Sequence, residues 1–161
     1  MATPASIRKH PIHPMLVVFP FGLWATAVIF DIVGTVTGNP TYRAVAFYNI
    51  GAGVIGALAA AVPGIIDYVT LRGRAARLGT WHAALNLTAT ILFALSWLGR
   101  TRWGAGKIGL DSWLPELVAL IALALIIPAG WLGGSLVYEH GTGVAFAEAR
   151  TGGTPGRRRA A

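Results

Sequence analysis

The chain has 161 residues, of which 55% are hydrophobic and only 12% charged, against about 25% charged residues in an ordinary soluble domain. So little charge cannot cover a soluble surface of this size, and so much apolar content excludes disorder for most of the chain. The absence of cysteine excludes a disulfide scaffold, thiolate zinc sites, iron–sulfur clusters and covalently attached haem.

Length allows one domain, and the composition makes it an integral membrane domain over residues 15–144. Residues 1–14 form an N-terminal segment. Crossing the hydrocarbon core takes about 20 apolar residues, and four segments qualify. The first runs from Met15 to Val36 and carries Pro20 and Asp31. It is long, holds an acid and lacks a small-residue cleavage site, so it reads as an uncleaved anchor and not a signal peptide. Gly38-Asn39-Pro40 is a turn. The second span runs from Ala44 to Val69, with Pro63 expected to kink its end. Gly73 to Gly79 is a basic loop. The third span runs from Trp81 to Leu98, followed by a glycine-bearing loop from Gly99 to Ser112. The fourth runs from Trp113 to Val137. Residues 145–161 are a basic tail of disordered composition. Short connections favour antiparallel neighbours, so the expected fold is all-α, an up-down four-helix bundle.

Small residues recur every four positions on span two, at Ala52, Gly56, Ala60 and Gly64, and as a GxxxG at Gly130 and Gly134 on span four. Such spacing lets helix backbones approach closely inside lipid.

Lys and Arg in the flanks set orientation. One side holds nine, namely Arg8, Lys9, Arg72, Arg74, Arg77, Arg150, Arg157, Arg158 and Arg159. The other holds four, Arg43, Arg100, Arg102 and Lys107. The nine-residue side is expected to be cytoplasmic, with both termini inside and the protein multi-pass in the inner membrane. The basic pI near 10.9 then reflects anionic lipid and not nucleic acid.

Under this topology His10, His13, His82 and His140 all fall on the cytoplasmic side. Asp67 lies near the same end of span two, and Glu139 is beside His140. His82, Asn86 and Thr90 are four apart, hence on one stripe of span three. Polar side chains within a span face the bundle interior. Asp67 in its apolar run needs a partner, for which His82 or a loop Arg would serve. At the opposite end, Asp31 is expected to pair with Arg43. Imidazoles from different helices are the usual ligands for haem iron or a transition metal in a bundle. Without cysteine such a haem is b-type. The candidate ligands are His13, His82 and His140, as two axial haem ligands or three ligands of a metal ion. Asp67 and Asn86 would support them. His10, Tyr68, Tyr138 and Glu139 are secondary, since interfacial His and Tyr also serve as caps and belts.

The segments His10-Pro11-Ile12-His13-Pro14-Met15-Leu16-Val17, Phe19-Pro20, Ala61 to Tyr68, His82-Ala83-Ala84-Leu85-Asn86, Gly130 to Tyr138 and His140-Gly141-Thr142-Gly143-Val144 resemble a bacterial predicted-membrane-protein family, the domain of unknown function 2231. The resemblance covers most of residues 10 to 144. It implies a four-span membrane domain. Fusions of relatives to Rieske-type or cytochrome domains imply a redox setting, by association only. Its motif residues map onto His10, His13, Asp67, His82, Asn86 and His140. The family's opening carries a histidine where this chain has Val18, which puts a two-haem arrangement in doubt.

The expected function is therefore a haem- or metal-binding membrane protein with an electron-transfer role, its site near the cytoplasmic interface, working with a redox partner protein. A non-catalytic scaffold or subunit, with the small-residue stripes facing partners or a second copy, is the alternative. A small transporter is the third reading, and it needs a polar lane between Asp31 and Asp67. No nucleophile–base–acid constellation is visible, so the sequence assigns no enzyme activity.

Overall fold

The computed structural model describes residues 3–8, 10–102, 107, 108 and 113–144. Four long helices dominate: α1 (Ile12–Thr37), α2 (Pro40–Tyr68), α3 (Gly73–Gly99) and α4 (Leu114–Tyr138). Two short strands, β1 (Ser6–Ile7) and β2 (His10–Pro11), pair antiparallel ahead of α1. A second such pair, β3 (Thr101–Arg102) and β4 (Lys107–Ile108), lies between α3 and α4. The expected basic tail from residue 145 lies outside the described residues, as does part of the loop before Trp113.

All four helices are long and apolar enough to cross a membrane. At about 1.5 Å per residue, helices of 25 to 29 residues exceed a hydrocarbon core of about 30 Å. Their outward faces carry Ile29, Ile55, Leu58, Leu87, Leu95 and Ile127, all exposed. In water that surface would be a liability; in lipid it is the solvated face. The four-span bundle expected from the sequence is present. Its helices run past the apolar windows. In particular α3 begins at Gly73, so the expected loop from Gly73 to Gly79 is helical. The Arg and Ala residues there are good helix formers, although too polar to count as membrane span.

Local signals mark the turns. Gly38 closes α1 at φ 68°, a left-handed conformation that glycine adopts without penalty. Asn39 caps α2, its side chain accepting from the Thr41 amide at 3.0 Å, with Pro40 in the first turn.

α1 packs along α2, and α3 along α4, so the bundle is two helical hairpins side by side. The core is small and aromatic: Trp24, Ala27, Val28, Ala46, Ile50, Ala89, Phe93, Ala119, Ala122 and Ile126. Gly53 lies directly against the indole of Trp24, and Gly51 against Trp97. Small residues let these helices close around the large rings.

The parallel helices α1 and α3 meet across the centre in a constant register. His13 faces His82, Trp24 stacks on Phe93 at 4.3 Å between centroids, and Asp31 pairs with Arg100. Each pair is separated by 69 residues. Equivalent positions of the two hairpins therefore meet along a common axis, as in a pseudo-two-fold arrangement.

Candidate functional site

His13 sits in the first turn of α1, and His82 three turns into α3. Each ring reaches the second helix of its own hairpin. His13 Nδ1 donates to the Ala60 carbonyl at 2.8 Å, and His82 Nδ1 donates to the Ala129 carbonyl at 2.9 Å. Both bonds span 47 residues. Each ring lies over a glycine one turn further on. A Cβ on Gly64 would stand 2.7 Å from His13 Nδ1, and one on Gly133 would stand 2.9 Å from His82 Cε1. Any larger residue would collide with the imidazole, so glycine is required for space and not for its φ.

A carbonyl oxygen only accepts, so in both residues Nδ1 carries the proton. In the neutral imidazole Nε2 then has the lone pair, which is the state a metal ligand needs. The two ring centroids are 6.1 Å apart and their planes are nearly perpendicular, at 88°. Asn86 lies one turn along α3 from His82. Its amide nitrogen donates to the His82 carbonyl at 2.8 Å and lies 3.4 Å from both ring nitrogens. The stripe continues to Thr90, whose hydroxyl donates to the Asn86 carbonyl.

The other expected site residues go elsewhere. Asp67 is buried near the end of α2, but among the described residues it partners neither His82 nor an arginine: its Oδ1 accepts from the Ala5 amide at 3.0 Å. Ala5 also accepts from the Ile12 amide through its carbonyl. Asp67 thereby pins the N-terminal segment, with buried Thr3 and Ala5, onto the end of the bundle. His140 follows α4 and donates from Nδ1 to the Ser135 carbonyl at 3.2 Å. His10 is exposed and bonds the nearby Arg8 carbonyl. Tyr68 shares a hydrogen bond with the Thr80 hydroxyl, Tyr138 is exposed, and the Glu139 amide closes the end of α4. Among the described residues no three His, Asp or Glu side chains gather to hold one ion. The structure thus brings together His13, His82 and Asn86, and leaves His140, Asp67, His10, Tyr68, Tyr138 and Glu139 in separate contacts.

Val18 is 69% exposed. It lies on the lipid-facing side of α1, so a histidine at this position would point away from the His13–His82 pair.

The opposite end of the bundle corrects a second expectation. Asp31 does not pair with Arg43. It forms a bidentate ion pair with Arg100, 2.6 Å at each contact, and the two residues are 3% and 2% exposed. Ser96 lies 3.4 Å from the same guanidinium and donates to the Pro115 carbonyl. Arg43 instead pairs with Glu116 at 3.0 Å, beside Thr35. Arg100 is the C-cap residue of α3, and its side chain turns into the bundle, where it is almost fully buried.

The small-residue stripes separate similarly. Gly56 and Gly64 face Phe19 and His13 of α1, as close packing requires. On α4 the packing glycine is Gly133, whereas a Cβ on Gly130 would meet no atom of another element within 4 Å among the described residues, and one on Gly134 only a distant Tyr138 carbon.

Comparison with known proteins also returns a membrane protein over this stretch. The family model described as "Predicted membrane protein (DUF2231)" matches residues 9–146. The chain belongs to this family. The match takes in all four helices and every histidine described above. Among curated proteins and among solved structures, none matches.

Proposed function

We propose that this DUF2231 protein binds one metal centre, a transition-metal ion or the iron of a b-type haem, between His13 and His82, and serves electron transfer with a redox partner protein. The observation that carries this reading is the matched pair of tethered imidazoles. Two rings from two hairpins converge at 6.1 Å with both Nδ1 atoms committed to carbonyls. An imidazole held through Nδ1–H by a carbonyl has its tautomer and orientation fixed, as in established metal-ligating histidines. Asn86 supports His82 from the next turn. The centre would supply the one-electron chemistry; the chain's part is to present two half-buried imidazoles near one end of the bundle.

The inner membrane, with both termini cytoplasmic, fits the charge distribution. Of the four positive residues assigned to the opposite side, Arg100 and Arg43 are paired with acids. The orientation itself rests on the count of nine Lys and Arg against four.

The test is direct. Purify the protein in detergent from cells supplied with haem and trace metals, record the visible spectrum and measure metal content. A Soret band or one metal per chain, lost in His13→Ala and in His82→Ala, is expected. Neither signal in wild-type protein would sink the proposal.

The open Gly130–Gly134 face supports a second reading, a scaffold subunit or homo-oligomer joined through α4. Gly134→Leu would then break the assembly on size-exclusion chromatography while His82→Ala leaves it intact. Transport finds less support, because the interior between Asp31 and the histidines is filled by Trp24, Phe93 and Ile50.

A further inference from the structure

We infer that the His13–His82 pair takes a soft monovalent cation, copper(I), held in line between the two imidazoles. This rests on the metal-binding reading above and narrows it to one class of ion.

Each hairpin supplies the same half-site. A histidine opens it, a carbonyl 47 residues on holds Nδ1, and a glycine 51 residues on makes room for the ring. Two equivalent rings set 6.1 Å apart across an axis suit a ligand that is the same from both sides, and a single ion on that axis is the simplest. The spacing agrees. An imidazole nitrogen lies about 1.2 Å from its ring centroid and binds a metal at about 2.0 Å, which puts the centroids of two rings in line on one ion roughly 6.4 Å apart. The observed separation is 6.1 Å.

Donor number and charge then select the ion. Among the described residues no third His, Asp or Glu joins the pair. Zinc and iron take four to six ligands in protein sites, roughly twice what is present or more. Copper(I) is a d¹⁰ ion without a ligand-field preference, and two nitrogen donors in line satisfy it. Neither ring nor Asn86 supplies a negative charge, so the full charge of the ion stays unneutralised in a half-buried site. The Born cost grows with the square of the charge, so a monovalent ion costs about a quarter of what a divalent one does.

The full chain, purified free of metal and haem, is titrated with silver(I) as a redox-inert probe and with copper(I) against a chromophoric copper(I) chelator. One ion per chain is expected, with a raised unfolding temperature. Affinity should fall by at least about a hundredfold in His13→Gln and in His82→Gln, beyond what loss of a supporting partner costs, while His10→Gln and His140→Gln retain it. Bound silver(I) should also protect His13 and His82 from acylation by diethyl pyrocarbonate in the wild-type chain, a readout that needs no variant. X-ray absorption on the copper(I) form should find two nitrogen neighbours. No binding by wild type, binding that persists in the His13→Gln/His82→Gln double variant, or no protection of the two rings would overturn the inference. A Soret band, or zinc(II) bound more tightly than silver(I), would also overturn it and leave the metal-centre reading standing. Neither haem nor any metal would remove both.

Discussion

Asp31 and Arg100 meet inside the bundle through two contacts of 2.6 Å, with both side chains almost fully enclosed. Removing one partner leaves an uncompensated charge, which typically costs 3–5 kcal/mol, whereas replacing both by apolar groups is often neutral. Asp31→Ala and Arg100→Ala should each lower stability by about 3–5 kcal/mol. Asp31→Leu/Arg100→Met should recover most of that loss. Reversible unfolding in mixed micelles measures all three, and additivity of the single changes would contradict the pairing.

The glycines under the imidazoles make a second prediction. In Gly64→Ala the new methyl would stand 2.7 Å from His13 Nδ1, and in Gly133→Ala 2.9 Å from His82 Cε1. Overpacking of this kind costs about 1–3 kcal/mol. Displacing the ring also breaks its carbonyl tether, which should weaken metal or haem binding by about 10–100-fold. Gly130→Ala, where the methyl meets no atom within 4 Å, is the control. Binding titrations on the three variants decide the matter.

Asp67 separates an anchoring role from a ligating one. Its carboxylate satisfies the buried Ala5 amide, and leaving such a donor unpaired costs about 1–3 kcal/mol. Asp67→Ala should speed hydrogen exchange across residues 3–8 without abolishing the metal or haem signal. Asp67→Asn retains an acceptor oxygen and should exchange at nearly the wild-type rate. Loss of the bound centre in Asp67→Asn would return Asp67 to the ligand set.

Val18 tests the departure from the family's usual opening. Because it is exposed on the lipid side of α1, Val18→His should add no ligand to the His13–His82 pair. The number of metal ions or haems held by that pair should stay unchanged in the variant, measured with His13→Gln in the same background as the reference.

The four spans were legible because twenty-odd apolar residues have few other uses. Their ends were not. Gly73 to Gly79 is helical, yet hydropathy reports solubility in lipid and is blind to helix that projects beyond it. His82 and Asn86 were legible from their spacing of four, which puts both on one helical face. Membrane side alone groups His140 with them, and residues at one end of a bundle need not share a face. Arg100 reads as a flanking charge, since nothing in its sequence neighbours marks it as turned inward. The partners of the two rings are main-chain carbonyls, which leave no trace in composition. A signal did exist: at a shift of 69 residues, His13 coincides with His82, Ala60 with Ala129, and Gly64 with Gly133.

That correspondence holds where the residues are alike and also where they differ. If one hairpin paired with an identical copy, the position of Asp31 would bring two carboxylates together, or that of Arg100 two guanidinium groups, and either would repel. Carrying both hairpins on one polypeptide lets the two copies diverge. Opposite charges can then meet on the axis, and an indole can lie on a phenyl ring, while the histidines stay the same. Covalent linkage here is what permits an asymmetric clasp at one end of the membrane and a symmetric pair of donors at the other.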